Sequence, residues 1–367
     1  MTATVPSDWF RRLLLPGLAF KAVVIGGGYA TGREIAEFFL PAGPWGGLAA
    51  MAVACALWTI VCALTFAFAQ KFATYDYRSF FGELLGRLWP LFECAYALFL
   101  ILILAVFGAA AGELGAATLH LPKIVGTVAL LLSIGGFAAF GNEAVERLFG
   151  WVSILLYGAY ALFLFLALTS FGGAIGDAFA HAPPPSDGWL IGGLTYAGYN
   201  IVGAVVILPV LRHMRTRRDA VIAGAIAGPL AMLPALLFFV SMCAFAGEAS
   251  AAALPSDLLL GKLGQPWFRL LFQAMIFAAL LESGTGAVHA INERIAGTWR
   301  ARRDADLSKA ARAAISLGLL AACMLLAERV GLVALIASGY RLLAGVIGLI
   351  FVIPLLVRGT WKLRSNA

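Results

Sequence analysis

Runs of apolar residues, each long enough to cross a lipid bilayer, follow one another along most of the chain. A helix needs about 20 apolar residues to span ~30 Å of hydrocarbon, and the apolar–polar alternation of a membrane β-barrel is absent from the sequence. The sequence therefore predicts an all-α polytopic membrane protein with about ten transmembrane helices. Their predicted spans are 15–40, 46–70, 89–118, 122–140, 146–171, 188–211, 219–247, 266–295, 309–327 and 330–357.

Composition excludes several classes of protein. Hydrophobic residues make up 62% of the chain and charged residues 12%, the latter about half the share of a soluble domain. This excludes a soluble enzyme, a disulfide-rich secreted module and a disordered protein. The net charge of +7 is interpreted as basic loops against an anionic membrane surface, so lipid is the expected partner, with no nucleic acid and no obligate protein partner. The five cysteines form no CxxC pair, so neither a disulfide framework nor a metal site is expected.

Basic residues between the spans indicate the orientation. Arg11 and Arg12 precede the apolar segment 13–25, which looks like a signal peptide but lacks a clear cleavage site and continues into a glycine cluster. We interpret the two arginines as a cytoplasmic anchor. Most basic residues of the connections then lie on the same side, and the positive-inside rule places both termini in the cytoplasm. The opposite side carries Lys123, Lys262, Arg269 and Arg329.

The spacing of the spans predicts an internal repeat. The first two spans of each half begin equally far apart, and segments 146–150 and 328–331 share a weak Glu-Arg signature. Because each half has an odd number of helices, the second copy enters the membrane from the other side, as in the inverted repeats of secondary transporters. We predict one integral membrane domain made of a first five-helix repeat, 1–171, and a second, 188–357.

The first span contains a glycine cluster at mid-depth. Residues 26–28 are three successive glycines, each of which weakens a helix by about 1 kcal/mol relative to alanine. Thr31 and Glu34 then show the spacing of a capping box, which predicts that a half-helix restarts there. Its free N–H groups would face the gap and suit a carboxylate. The alternative is close helix packing, because Gly28 and Gly32 form a GxxxG pair.

The sixth span is interrupted in the corresponding position. It carries glycines, Tyr196, Tyr199 and Asn200, and the last three share one face if they are helical. Interrupted segments in matching positions of two halves point to a transporter site, whereas an interfacial tyrosine belt is the alternative. The predicted substrate-binding residues are Gly26, Gly27, Gly28, Tyr29, Thr31, Gly32, Tyr196, Gly198, Tyr199 and Asn200.

Two of these motifs resemble a known family. Segment 26–39, GGGYATGREIAEFF, and segment 286–295, GAVHAINERI, look like the YkvI-like bacterial membrane proteins, and the layout of the whole chain resembles them. That family is similar to the LeuT-fold, amino acid–polyamine–cation transporters. The resemblance implies a 5+5 inverted repeat with discontinuous helices 1 and 6, in the bacterial cytoplasmic (inner) membrane, and it implies a transporter-like site without naming a substrate.

Charged residues just beyond the first break suggest gates. Arg33 can pair with Glu37 or with Glu113 to form an outer gate, because an arginine past the break has this role in LeuT-fold transporters; a static ion pair is the alternative. Towards the cytoplasmic end of span 8, His289 and Asn292 are spaced to hydrogen-bond within an inner gate. For His289, ordinary packing is the alternative.

Four further residues suggest ion coupling. Lys21 and Glu282 are ionisable residues inside spans, so they form either a proton-coupling pair or a permanent one. The resemblance also suggests a Na⁺ site that uses Ser283 and Thr285. Two residues apart on a helix are ~200° around its axis, so both hydroxyls can face one ion only if the helix is irregular. H⁺ or Na⁺ as coupling ion is the only cofactor expected.

Two functions remain open from the sequence. The first is secondary active transport of a small amphipathic or zwitterionic solute, such as an amino acid or amine, by alternating access. The second is a non-transporting membrane sensor or scaffold that keeps the transporter fold. An enzyme fits poorly, since the sequence has no HExxH motif or Walker loop.

Overall fold

The computed structural model describes residues 8–140, 158–303 and 308–365, and these form helices joined by short connections. The predicted all-α class is confirmed. In chain order the helices are α1 Leu15–Val24, α2 Gly27–Ala30, α3 Arg33–Phe38, α4 Gly43–Phe72, α5 Tyr77–Leu85, α6 Pro90–Leu119, α7 Lys123–Phe140, α8 Gly158–Ser170, α9 Gly172–Ala180, α10 Trp189–Asn200, α11 Gly203–Val206, α12 Arg217–Cys243, α13 Ala246–Ala251, α14 Pro255–Lys262, α15 Pro266–Arg303, α16 Lys309–Val330 and α17 Leu332–Ser365.

The chain is a multi-pass membrane protein. Among the described residues, 7 helices are long and apolar enough to cross a membrane, or up to 8 if α8 and α9, which meet at 67°, form one span. The first span is divided into α1, α2 and α3, none of which is long enough alone. The count of ten therefore stays a prediction, and so do the repeats 1–171 and 188–357. Segment 146–150, which carries half of the repeat signature, lies outside the described residues.

Helices α4 and α12 pack backbone against backbone through glycines. A Cβ atom on Gly224 would lie 2.3 Å from Ala63 Cα, and one on Gly228 would lie 2.2 Å from Thr59 Oγ1. Small residues allow this approach in membranes, where dispersion contacts take the place of the hydrophobic effect. The buried Trp58 on α4 also donates a 3.1 Å hydrogen bond from Nε1 to Ala197 O, which fixes α10 against α4.

Substitution of Gly224 by valine is expected to destabilise the protein. The added side chain must push α12 away from α4, and overpacking of this kind typically costs about 1–3 kcal/mol. The same change at Gly318, an exposed position in α16 with open space around it, is the matched control. Thermal unfolding in detergent measures both. Equal melting temperatures for Gly224→Val and Gly318→Val would show that the α4–α12 contact does not limit stability.

Candidate functional site

The first membrane helix is broken twice near its middle. Helix α1 ends at Val24, and Ile25 leaves the helical region with φ −88° and ψ 67°. After the single turn α2, the chain breaks again at Gly32, whose φ is +78°. This left-handed conformation favours glycine, and a Cβ atom here would lie 2.6 Å from the Phe238 ring. The predicted discontinuity is therefore present, with a second interruption that the glycine cluster alone does not indicate.

The expected capping box at the restart is not formed. Thr31 Oγ1 accepts a 3.3 Å hydrogen bond from the Arg33 N–H, but the residue that precedes α3 is Gly32. The Glu34 carboxylate is turned away from this turn and accepts a hydrogen bond from the Tyr199 hydroxyl on α10. The Thr31 carbonyl, freed by the break, accepts a 3.0 Å bond from the Ser256 N–H of α14. A hydrogen bond from a helix distant in sequence thus satisfies the carbonyl that lost its partner at the break.

The sixth membrane helix is broken as well. Helix α10 ends at Asn200, residues 201–202 form a turn, and the short α11 follows. The Asn200 side chain donates a 3.1 Å hydrogen bond from Nδ2 to Tyr196 O, so it satisfies a carbonyl near the end of its own helix. The interruption in span 6 is thus present too.

A cavity of about 360 Å³ lies where the two breaks meet α6 and α15. Its volume is in the range of small-molecule sites, and its walls are mainly apolar with a few polar groups, as such sites usually are. The polar groups come from Tyr29, Glu34, Tyr96, Tyr199, Asn200 and Ser283. The other lining residues are Ala22, Val23, Val24, Gly26, Phe99, Leu100, Ile103, Phe107, Gly203, Val206, Gly286, Ala287 and Ala290.

Four of the predicted substrate-binding residues line this cavity: Gly26, Tyr29, Tyr199 and Asn200. Gly27 and Gly28 open the turn α2 directly before Tyr29.

The remaining predicted residues have other contacts. Tyr196 is buried between helices, with its ring 5.4 Å from that of Trp58. A Cβ atom on Gly198 would lie 2.9 Å from Ala344 Cβ, so this glycine lets α10 approach α17. Thr31 is fully buried at the second break, and Gly32 packs against Phe238. None of these four residues lines the cavity.

Glu34 is the cavity residue that sequence reasoning assigned to another role. Its side chain is 5% exposed, accepts a bond from Tyr199 and also contacts the Tyr340 hydroxyl on α17. The capping-box pattern assigned Glu34 to the start of a half-helix and therefore did not predict its place at the cavity. The available signal was its place inside a membrane span beside a helix break, because ionisable residues there are functional candidates.

Arg33 begins α3, just beyond the second break, on the side that is predicted to face outward. Its guanidinium donates to Ser250 O at 2.7 Å, to Ala252 O at 2.9 Å and to the Glu37 carboxylate at 2.7 Å. These bonds hold the α13–α14 connection against α3. Of the two acidic partners considered for Arg33, the structure selects Glu37. Glu113 instead forms an ion pair with Lys123, Oε1 to Nζ 2.5 Å, because both lie where α6 turns into α7.

Arg294 lies on the other side of the cavity, towards the side of the N-terminus. Its guanidinium carbon is 3.9 Å from the Tyr77 ring centroid and 4.1 Å from that of Tyr96, and it forms an ion pair with Glu93. A second cavity of about 160 Å³ touches Arg294 and shares Tyr96 and Val206 with the central one. Arg294 therefore lies at the small cavity that adjoins the central one.

The predicted inner-gate residues have other surroundings. His289 is exposed on α15. The buried Asn292 donates a 2.7 Å hydrogen bond to Ser316 Oγ, which joins α15 to α16. The interpretation that His289 and Asn292 form a gate together receives no support from these contacts.

The four predicted ion-coupling residues lie on α1 and α15. Ser283 lines the cavity, and its Oγ would be 3.7 Å from a Cβ atom on Gly26. Thr285 donates a 2.7 Å hydrogen bond to Leu281 O within a continuous α15, so its hydroxyl does not face the same point as that of Ser283. Lys21 on α1 and Glu282 on α15 are both half-buried.

Comparison with known sequences gives one informative relative. No family model matches the chain. The uncharacterized membrane protein YkvI of Bacillus subtilis (strain 168) is 26% identical over 227 residues, which cover 58% of this chain and 61% of YkvI. The aligned segment thus spans about three fifths of the relative's length. The resemblance to YkvI-like membrane proteins is confirmed.

Comparison with solved structures identifies the fold. MhsT in complex with L-phenylalanine matches with a TM-score of 0.56 and 16% identity, over 95% of this chain and 93% of MhsT. An Eremococcus coleocola manganese transporter, solved with an aromatic bis-isothiourea substituted compound, matches with a TM-score of 0.50 and 12% identity, over 97% of this chain and 81% of that one. The LeuT fold implied by the sequence motifs is confirmed.

Proposed function

We propose that this protein is a secondary active transporter that moves a small amphipathic or zwitterionic solute, an amino acid or an amine, by alternating access. The observation that carries the proposal is the 360 Å³ cavity between two broken helices. Discontinuous helices at mid-membrane are the usual way in which transporters expose backbone groups to a solute. MhsT, which shares the fold, was solved with L-phenylalanine, a solute of this kind.

The cavity offers contacts for both ends of such a solute. Backbone groups freed at Ile25 and Gly26 supply hydrogen bonds, and the rings of Tyr29 and Tyr199 supply aromatic faces that attract an ammonium group. Apolar side chains of α6, including Phe99 and Ile103, form the opposite wall.

Alternating access requires a barrier on each side of the solute. We assign the outer barrier to Arg33 with Glu37, and the inner barrier to Arg294 between Tyr77 and Tyr96. The two lie on opposite sides of the cavity and use different helices, so one can open while the other stays closed. We further propose that the protein lies in the bacterial cytoplasmic membrane with both termini in the cytoplasm.

The coupling ion is H⁺ or Na⁺. A proton route uses the Lys21 and Glu282 region, and a Na⁺ route uses Ser283 beside the break. The back-bonded Thr285 argues against a Na⁺ site that needs both hydroxyls.

Uptake into proteoliposomes tests the transporter proposal. Purified protein is reconstituted and given a panel of radiolabelled amino acids and amines with an inward Na⁺ gradient, an inward H⁺ gradient or neither. We expect uptake of at least one solute, above that of protein-free liposomes, that depends on one gradient and is lost when an ionophore dissipates it. Ligand-induced thermal stabilisation without uptake of any solute would instead identify a sensor or scaffold that keeps the fold.

A further inference from the structure

Among the residues that the structure describes, the lining of the central cavity offers a negative charge and no positive one. Among its lining residues within the described parts of the chain, Glu34 is the single side chain that carries a full charge when ionised. No lysine, arginine or histidine of those parts lines the cavity. A solute therefore meets one carboxyl group and otherwise neutral walls.

The nearest arginine in sequence does not neutralise Glu34. The Arg33 guanidinium points the other way, where its N–H groups are bound by Ser250 O, Ala252 O and the Glu37 carboxylate. On the opposite side, Arg294 is stacked between two tyrosines and paired with Glu93. Both guanidinium groups are thus held by partners away from Glu34.

Phenol groups surround Glu34 without balancing its charge. Tyr199 donates a hydrogen bond to it, and the Tyr340 ring lies 4.2 Å from the Tyr199 ring. The Tyr29 hydroxyl is buried beside Tyr160, whose ring centroid lies 5.8 Å from that of Tyr29. Hydroxyl donors orient a carboxylate, but a buried carboxylate without a cation is strongly disfavoured. An entering cation removes this cost, as does protonation of the carboxyl group.

We propose that the transported solute is an organic cation, whose ammonium group pairs with Glu34 and whose apolar part packs against α6. The proposal deepens the proposed function and rests on the same cavity. Aromatic faces attract alkylammonium groups, and Tyr29 and Tyr199 present such faces beside the carboxylate. A zwitterion brings a carboxylate for which the lining offers no cationic side chain, and an anion is repelled outright.

Three probes that share a phenyl ring and a short chain but differ in charge separate these cases. They are 2-phenylethylamine, L-phenylalanine and 3-phenylpropanoate. Binding to the purified full chain in detergent is measured by calorimetry and thermal shift at pH 8, first in KCl and then in NaCl. We expect the amine to bind at least about tenfold more tightly than the zwitterion, which corresponds to ~1.4 kcal/mol, and the anion not to bind.

Substitutions identify the group responsible. Glu34→Gln removes the charge at nearly constant shape and should weaken amine binding at least about tenfold, so that the preference over L-phenylalanine disappears. Glu113→Gln makes the same change at an ion pair distant from the cavity and should leave the affinity ratio unchanged. If Glu34→Gln does not fold, the ratio of the three probes on the unmodified protein decides the question.

Each outcome separates this inference from the transporter proposal. Tighter binding of L-phenylalanine than of the amine, or no binding of any probe at millimolar concentration, overturns cation selectivity and leaves uptake of other solutes to be judged by its own assay. Stabilisation by Na⁺ alone, with none by the amine, overturns it too. Amine-selective binding without uptake supports a cation-selective site at Glu34 and counts against transport.

Discussion

Replacement of Gly26 by leucine is expected to abolish solute uptake while the protein stays folded. Gly26 lies at the first break and lines the cavity next to α15, where a Cβ atom would be 3.7 Å from Ser283 Oγ and 3.9 Å from Val23 O. A single methyl group fits that space, but a leucine side chain extends past it into the cavity. Since Gly26 does not have a positive φ, the substitution brings no backbone strain.

Gly26→Ala is the matched control for this prediction. Its methyl group makes ordinary contacts and should leave uptake within about twofold of the unmodified protein, a change of less than ~0.5 kcal/mol. The initial rate of uptake of the panel's best solute is measured for both variants, together with the melting temperature in detergent. Normal uptake by a correctly folded Gly26→Leu protein would place the solute somewhere other than this cavity.

The break in the first helix could be predicted because its cause is local. Three glycines in succession weaken a helix in any surroundings. Helix α1 ends directly before residues 25–26, which are not helical. The second break at Gly32 was not predicted, because it depends on Phe238 and Ser256, which approach from α12 and α14. The capping-box pattern predicts that Glu34 bonds to the backbone at the start of α3. In the structure its carboxylate instead accepts a hydrogen bond from a tyrosine on α10.

The site was predicted in part for a similar reason. Helical spacing puts Tyr196 and Tyr199 near one another, but it does not say which way their common face points. Trp58 packs against Tyr196 and excludes it from the cavity, whereas Tyr199 reaches it. Local spacing also favours the pair of Arg33 with Glu37, four residues apart. The pair of Arg294 with Glu93 joins residues 201 positions apart, a contact that periodicity alone does not reveal.

Replacement of Arg33 by alanine is expected to loosen the α13–α14 segment on the outer side of the molecule. The change removes three hydrogen bonds and leaves the carbonyls of Ser250 and Ala252 without these donors. Because hydrogen bonds to a charged group contribute about 1.5–3 kcal/mol each, the α13–α14 segment should no longer be held against α3. We expect faster hydrogen–deuterium exchange over residues 246–262 and at least about a tenfold lower rate of solute uptake, since the outer barrier fails to close.

Two further variants decide whether Arg33 acts as this barrier. Arg33→Lys keeps the charge but cannot reproduce the planar fork of donors, so its exchange and uptake should resemble those of Arg33→Ala more than those of the unmodified protein. Lys123→Ala breaks the ion pair with Glu113, whose lysine is 65% exposed, and should change neither measurement, because exposed pairs contribute little. If exchange over 246–262 is unchanged in Arg33→Ala, the α13–α14 segment is held by its other contacts, such as the Ser256–Thr31 bond. Arg33 then serves only to position α3.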